Sequence, residues 1–172
     1  ISVYDKSSLR KICSVLDKFN IGIISTGATA KKIISLGYKC REISNLTKFK
    51  EILDGRVKTL NPRLHASILY KRNNPEHIKT FKKLNFPIID FVIVNFYPFT
   101  KISNKEITEK KIEMIDIGGP SIVRSASKNF ASVTTICDKK FYDPLIKELK
   151  KNKGVTSLAF RKKMAEKNFK LT

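Results

Sequence analysis

Four short segments of the sequence carry side chains that suit an anionic substrate: residues 2–7, 25–29, 54–60 and 95–99. Each lies at or near the end of a predicted strand, and open parallel sheets bind ligands outside the carboxyl ends of their strands. Hydroxyls, cations and the backbone N–H groups of helix starts all bind phosphate well. The four segments therefore favour a site for a phosphorylated ligand.

The segment 25–29, with the sequence STGAT, joins a predicted strand to a predicted helix. Its hydroxyls and the N–H groups of the helix start would form a cradle for phosphate. The same residue types also cap helices without binding a ligand. By itself the segment leaves both interpretations open.

Arg56 and Lys58 follow the turn residues Asp54 and Gly55. Residues two apart in an extended segment point the same way, so both cations are expected to face a phosphate or a developing oxyanion. The alternative is an ordinary solvated basic loop. Tyr97, beyond the most hydrophobic strand, is a candidate for the same site or a simple packing residue.

Asp116 precedes the sequence Gly118-Gly119-Pro120, which predicts a helix start, and a helix N-terminus favours an ionised carboxylate. Lys128 lies on the helix that follows. If its side chain turned inward it would need an anionic partner, for which Asp116 is a candidate. Such a pair suits proton transfer, although an ordinary surface lysine is the simpler interpretation.

The candidate site residues must be positioned by a fold. The sequence predicts one in which strands alternate with helices. The apolar runs predict strands at 1–4, 21–25, 38–43, 88–95 and 133–137. Helices are predicted around residues 9–16 and over 76–84, 105–115, 118–128, 141–151 and 157–169. A further helix follows the segment 25–29, with Ala30, Ile33 and Ile34 on its core side. This order predicts an α/β fold, a mostly parallel β-sheet flanked by helices on both faces. Residues 45–69 show no regular pattern beyond two turns.

The 172 residues are enough for one domain, and no repeat or linker divides them. No apolar stretch is long enough to cross a membrane, so no membrane partner is expected. The three cysteines, Cys13, Cys40 and Cys137, form no C-x-x-C pair and are expected to be free thiols. With two histidines, a zinc site is not expected, and no metal is predicted.

The formal net charge of +20 favours anionic partners, among them nucleic acid. However, the basic residues are nearly all lysines spread along the whole chain, and no nucleic-acid-binding motif accompanies them. The abundance of lysine, isoleucine and asparagine fits an A/T-rich coding sequence equally well. We therefore expect no nucleic-acid partner.

Six strings of the sequence, taken together, resemble one family. They occur in the order ISVYDKSSL, ISTGATA, EILDGRVKTLNPRLHASIL, DFVIVNFYPF, IDIGGPSIVRSASKN and VTTICD. They are similar to the IMP cyclohydrolase domain of bifunctional purine biosynthesis proteins, over essentially the whole chain. The resemblance implies a methylglyoxal-synthase-like fold and dehydrative closure of 5-formamidoimidazole-4-carboxamide ribotide to IMP, without cofactor or metal.

The resemblance also implies a set of site residues. The catalytic group comprises Lys128, Lys58, Asp116 and Tyr97. The substrate- and phosphate-binding group comprises Ser2, Tyr4, Asp5, Lys6, Thr26, Gly27, Ala28, Thr29, Arg56, Val57, Thr59, Asn95, Phe96, Ile117 and Gly118. The expected mechanism has Lys128, oriented by Asp116, moving protons while Lys58 stabilises the oxyanion.

The sequence departs from the family pattern at five positions: Tyr4, Ala28, Asn61, Ser67 and Phe130. Ala28 stands where a second glycine is usual, and it would be strained if the backbone there required a positive φ. Asn61, Ser67 and Phe130 replace a histidine, a glycine and a histidine of the family pattern. None of the five removes a catalytic side chain that the resemblance implies.

Beyond this domain, the resemblance implies a longer protein. A formyltransferase domain that uses 10-formyltetrahydrofolate would follow this domain. The chain is therefore expected to be truncated at both ends. The full-length protein is expected to be a cytoplasmic homodimer that acts on a purine ribonucleotide. Three other functions remain open: a methylglyoxal-synthase relative acting on a triose phosphate, a non-catalytic nucleotide- or phosphate-binding regulatory module of the same fold, and a basic nucleic-acid binder.

Overall fold

The computed structural model describes residues 1–96 and 109–172. Five strands are assigned in these ranges: β1 (Ser2–Val3), β2 (Ile24–Ser25), β3 (Arg41–Glu42), β4 (Phe91–Asn95) and β5 (Thr134–Ile136). Nine α-helices accompany them: α1 (Leu9–Lys18), α2 (Gly27–Ser35), α3 (Ile43–Thr47), α4 (Pro62–Leu69), α5 (Pro75–Leu84), α6 (Glu109–Ile112), α7 (Gly118–Lys128), α8 (Tyr142–Lys151) and α9 (Leu158–Phe169).

All strand pairings between these elements are parallel. One sheet has the order β1-β4-β5, and β2 pairs with β3. The two sheets meet at Ile1, whose amino group donates to the Ile24 carbonyl at 2.7 Å and whose carbonyl accepts from Ser25 Oγ at 2.6 Å. The predicted α/β class with a parallel sheet is confirmed.

The central strand β4 explains how the sheet is covered. Ile93 belongs to an apolar cluster with residues of α1, α8 and α9, whereas Val92 and Val94 belong to a second cluster with residues of α4 and α7. Side chains alternate between the faces of a strand, so a continuous apolar run is buried on both sides. A strand was predicted over 88–95, the sequence IIDFVIVN, and β4 occupies Phe91–Asn95 within that range.

Most helix predictions hold, and two details are wrong. Ile34 was predicted on the core side of α2 but is 55% exposed, while Ala30 and Ile33 are fully buried. The segment 45–69, predicted to have no regular pattern beyond two turns, contains the end of α3 and the whole of α4. Asn61 is the N-cap of α4, where its Oδ1 accepts from the Arg63 N–H at 2.9 Å, with proline next to it in the first turn.

The helix predicted over 157–169 is present as α9. It packs on α7 and β5. Asn168, fully buried, donates to the Thr135 carbonyl at 3.0 Å and to Ser127 Oγ at 3.3 Å, and accepts from the Cys137 thiol. Within the described residues, none of the helices is both long and apolar enough to span a bilayer.

The thiols are free, as predicted, with Cys13 and Cys137 buried and Cys40 partly exposed. Burial raises the pKa of both Cys13 and Cys137 to about 11. These two thiols are therefore protonated and unreactive packing groups at neutral pH.

Candidate functional site

A cavity of about 460 Å³ lies between the turn at residues 54–59 and the N-terminal end of α7. It brings together residues that are distant in the sequence. The predicted site residues that line it are Ser2, Arg56, Lys58, Thr59, Asp116, Ile117 and Gly118. We call it the site cavity.

The turn that supplies both cations is closed by a pair of backbone hydrogen bonds between Ile52 and Val57, at 3.1 and 3.4 Å. Leu53, Asp54 and Gly55 form its tip with positive φ, which glycine tolerates best. The predicted turn at Asp54-Gly55 is confirmed. The predicted extended geometry is wrong, because Arg56 has helical backbone angles (φ −61°, ψ −30°).

Both cations of the turn have carboxylate partners. Arg56 forms an ion pair with Glu113, and Lys58 Nζ lies 3.1 Å from Glu51 Oε2. The hydrogen bond from Arg56 lowers the pKa of the Glu113 carboxyl and raises that of the guanidinium. An anionic ligand that uses either cation must therefore share it with a glutamate or displace that glutamate.

Lys58 also reaches the start of α2. A β-carbon on Gly27, the first residue of this helix, would lie 3.9 Å from Lys58 Nζ. Gly27 has a φ of +44°, so the positive φ of this loop falls on the glycine. Ala28 is an ordinary exposed helical residue, and the strain considered for it does not arise.

The remaining residues of the loop 25–29 face inward. Thr29 is buried, and its hydroxyl donates to the Val3 carbonyl at 3.1 Å and accepts from the Val3 N–H at 3.3 Å. Thr26 is buried as the N-cap residue of α2. Thr29 thus connects α2 to β1, and its predicted phosphate contact would have to compete with these bonds.

Asp116 and the two glycines after it form the start of α7. Asp116 Oδ1 accepts from the Gly119 N–H at 2.8 Å. A β-carbon on Gly119 would collide with the Asp116 carboxylate, and one on Gly118 would collide with the Thr59 hydroxyl. The predicted position of Asp116 at a helix N-terminus is confirmed, and the close approaches explain why glycines follow it.

Two adjacent residues, Lys58 and Thr59, therefore lie against the first residues of two helices. Lys58 approaches Gly27 of α2, and Thr59 contacts Gly118 of α7. The N-terminal ends of helices carry partial positive charge and unsatisfied N–H groups. The segment 58–59 is thus the point where the cavity is best suited to an anionic ligand.

A second group of predicted residues lies outside the site cavity. Asn95 Oδ1 accepts from the Asp5 N–H at 2.8 Å, and Asn95 Nδ2 donates to the Asp5 carbonyl at 3.0 Å and to Tyr142 Oη at 3.4 Å. Hydrogen bonds from Lys139, at 2.5 Å, and from Ser7 hold the pKa of the Asp5 carboxyl far below its usual range. This network fixes the loop after β1 to the end of β4.

The other predicted residues are placed as follows. Tyr4 is half-exposed, and its carbonyl accepts from Lys6 Nζ at 3.0 Å. Val57 supplies backbone bonds to the turn, and Phe96 packs on the α4–α7 side of the sheet. Tyr97 lies outside the described residues.

Lys128 is not near Asp116. It is the last residue of α7, exposed, whereas Asp116 caps the first turn of the same helix. At 1.5 Å per residue, the ten steps from Gly118 to Lys128 span about 15 Å. The predicted pairing of these two side chains within one chain is wrong, because the length of α7 separates them.

The sequence reasoning missed His65, which bridges two elements of the site. His65 Nδ1 lies 2.9 Å from Ser125 Oγ on α7, and the ring also interacts with the backbone of Thr59, which raises its pKa against the larger effect of burial. Burial lowers the pKa of this histidine. Glu51 and Glu113 were missed as well. Recognising Asn61-Pro62 as a helix start would have placed His65 on α4.

One further family departure has a structural explanation. Ser67, fully buried in α4, donates to the Arg63 carbonyl at 2.9 Å, so its hydroxyl is satisfied. The Phe130 carbonyl accepts from Arg161 Nε at 2.8 Å, a backbone contact that any residue type could make, so the phenylalanine itself has no structural explanation. Among the described residues, His, Cys, Asp and Glu form no group of three or more suited to a metal ion.

The family model described as MGS-like domain matches residues 8–121, and the model described as AICARFT/IMPCHase bienzyme matches residues 126–172. The bifunctional purine biosynthesis protein PurH of Lactobacillus acidophilus is 48% identical, and that of Fusobacterium nucleatum is 46% identical. Each alignment covers 100% of this chain and 34% of the relative, so the chain spans about a third of their length.

A solved structure gives the same fold. The crystal structure of ForH superposes with a TM-score of 0.89 at 27% sequence identity, covering 99% of this chain and 88% of ForH. The parallel sheet, the two covered faces and the family match over residues 8–121 agree with one another. Proteins that are 46% and 48% identical to the chain are bifunctional purine biosynthesis proteins, and the chain belongs to the MGS-like domain family.

Proposed function

We propose that this chain carries out the IMP cyclohydrolase step, closing 5-formamidoimidazole-4-carboxamide ribotide to IMP with loss of water. The observation that carries the proposal is the position of Lys58 and Thr59 between the N-terminal ends of α2 and α7. The similarity to PurH proteins supports a role in purine biosynthesis. The specific step is our inference.

The substrate phosphate is proposed to bind at the start of α2. Gly27 leaves the backbone open there, and Lys58 Nζ lies close to it. A helix N-terminus with an adjacent cation is a favourable site for a dianion. Arg56 lies on the same turn and is proposed to provide further charge once it separates from Glu113.

The base and its substituents are proposed to lie in the site cavity near Asp116 and Ile117. Ring closure forms a bond between the carboxamide nitrogen and the formyl carbon. The formyl oxygen becomes an oxyanion, takes two protons and leaves as water. One proton is lost from the carboxamide nitrogen, which keeps its other proton, and one from the formamido nitrogen, which forms the new C=N bond as the C–O bond breaks. Holding the two groups together lowers the barrier by proximity.

Lys58 is the proposed cation for the developing oxyanion, because its ammonium lines the cavity and donates hydrogen bonds. Asp116 is the proposed acceptor for the amide proton, although its Oδ1 also caps α7. The catalytic role of Lys128 stays a prediction from the resemblance, and that of Tyr97 likewise. Within one chain, Lys128 does not reach this cavity.

Several properties of the whole protein are proposals of the same kind. We propose that ring closure needs neither a cofactor nor a metal, that 10-formyltetrahydrofolate serves a separate formyltransferase domain, and that the full-length protein is a cytoplasmic homodimer acting on a purine ribonucleotide. The part of the PurH relatives that this chain does not cover, about two thirds of their length, would hold that second domain.

A second candidate function is a regulatory module that binds a nucleotide or phosphate without chemistry. Two observations favour it: both cations of the turn are paired with glutamates, and Lys128 is remote from the site cavity. Such a module would bind the ribotide or IMP but would not interconvert them.

One experiment separates the two candidates. The purified chain is incubated with the formamido ribotide, and IMP is followed by chromatography, while calorimetry measures ribotide and IMP binding. IMP formation above the uncatalysed rate supports the cyclohydrolase. Binding without turnover supports the regulatory module, and neither binding nor turnover contradicts both.

A further inference from the structure

Glu51 is the residue outside the predicted site that is most closely connected to it. Its Oε2 lies 3.1 Å from Lys58 Nζ. Ile52 and Val57 are an antiparallel pair, so Glu51 and Lys58 are the next two residues outward on the same short ladder. Opposed residues on an antiparallel ladder are direct neighbours, and opposite charges there attract. The pairing is thus fixed by the register of the turn.

Two glycines complete the surroundings of the ammonium. A β-carbon on Gly55 would lie 3.2 Å from Glu51 Oε1 and 3.5 Å from Lys58 Nζ, and one on Gly27 would lie 3.9 Å from the same Nζ. Gly55 and Gly27 both have positive φ, at +91° and +44°. Both positions therefore favour glycine, which has no side chain and leaves the space around the Lys58 ammonium open.

This ion pair contributes little to folding stability. The side chains of Lys58 and Glu51 are 31% and 50% exposed, and pairs of this exposure are screened by water. A lysine side chain has four rotatable bonds and extends into solvent when nothing holds it. The ion pair is therefore expected to fix the position of the Lys58 ammonium and to add little to the stability of the domain.

We propose that Glu51 is a positioning residue that holds the Lys58 ammonium between Gly55 and the start of α2, ready for the anionic ligand. The inference rests on the proposed function of the site cavity. Lys58 lines the site cavity and Glu51 does not, so Glu51 contacts the ammonium from the side away from the cavity. It therefore acts on the substrate through Lys58.

The test is Glu51→Gln, which keeps the shape and removes the charge. We expect kcat for ring closure to fall by about tenfold to a hundredfold, because a catalytic group displaced by about 1 Å can cost that much. KM should rise by up to about threefold, because the same ammonium is proposed to lie beside the substrate phosphate, and the melting temperature should stay within about 2 °C, as expected for an exposed pair. Glu51→Asp, which keeps the carboxylate on a shorter side chain, should recover part of the rate.

Two further variants make the result specific. Glu166→Gln removes an equally charged, exposed side chain on α9 and should behave as wild type. In a double-mutant cycle, Glu51→Gln should cause no additional loss when Lys58 is already glutamine, because the two residues act as a unit. An additive loss would contradict the proposal.

The outcomes separate this inference from the proposed function. If the wild-type chain forms no IMP, the cyclohydrolase proposal itself fails. If the wild type is active and Glu51→Gln has the same kcat, the positioning role is wrong while the function stands. A lower KM with unchanged kcat would show that Glu51 competes with the substrate for Lys58, which also overturns the positioning role.

Discussion

The hydroxyl of Thr59 occupies the space that a β-carbon on Gly118 would need. This contact joins the turn that carries Lys58 to the first turn of α7, two segments that are far apart in the sequence. His65 reinforces the connection, because its Nδ1 lies 2.9 Å from Ser125 Oγ of α7 and its ring interacts with the Thr59 backbone. The geometry of the site cavity therefore depends on how closely these two backbones approach.

Gly118→Ala tests this close approach. The added methyl group would displace the Thr59 hydroxyl, and overpacking of this kind costs about 1–3 kcal/mol. We expect a lower melting temperature and at least a tenfold lower rate of IMP formation. The matched control is Gly22→Ala, where a β-carbon meets no atom within 4 Å. Equal behaviour of the two variants would contradict the assigned contact.

Asp116 has two proposed roles that can be separated. Asp116→Asn keeps an oxygen that accepts from the Gly119 N–H, whereas Asp116→Ala removes the acceptor, and loss of a helix cap costs about 1 kcal/mol. Only the alanine variant should lose stability in urea unfolding. Both should lose ring-closure activity, because both lose the carboxylate. An active asparagine variant would remove the carboxylate from the mechanism.

His65 predicts a pH dependence of stability. Burial lowers its pKa in the folded state below the ordinary value of 6.5, so the unfolded state binds more protons as the pH falls. The free energy of unfolding should therefore be highest above pH 6.5 and decrease as the pH falls through the lowered folded-state pKa. Chemical unfolding at pH 7.5, 6.5 and 5.5 measures this.

The control for this pH dependence is His65→Gln, which cannot titrate in this range. The histidine contribution is therefore the difference between the two slopes. Identical slopes for wild type and variant would mean that His65 has the same pKa in both states.

Asn168 should be a strong determinant of stability. Its amide connects α9 to the Thr135 carbonyl and to Ser127, in a fully buried position. Asn168→Ala leaves these groups without their partner, which costs about 1–3 kcal/mol for an unsatisfied polar group, in addition to the cavity. Asn73→Ala, at an exposed position, should change the free energy of unfolding by less than about 0.5 kcal/mol.

Lys128→Ala tests the role that the resemblance implies. Because Lys128 is at the far end of α7 from the site cavity, ribotide binding measured by calorimetry should be unchanged. The resemblance predicts that ring closure is nevertheless strongly reduced. If the rate falls and binding is retained, the catalytic role stands. Unchanged turnover would remove Lys128 from the mechanism.

The sequence by itself determined the class of the fold and the position of most elements. The apolar run around Val92, Ile93 and Val94 indicated a strand covered on both faces, and the helix spacing around Leu9 and Leu16 indicated α1. These are local properties, set by side-chain periodicity and by capping residues. The motifs also indicated that residues 54–59 and 116–118 belong to one site.

Only the tertiary structure decided which side chains meet. The sequence suggested Asp116 with Lys128, yet a helix of 11 residues keeps them apart, while Lys58 meets Glu51 and Gly27, and Thr59 meets Gly118. The tertiary structure also showed that Asn95 and Thr29 do not line the site cavity. They hydrogen-bond backbone groups of β1 and of the loop that follows it. Contacts between distant segments depend on how the elements pack, and residue spacing within one segment carries no information about that packing.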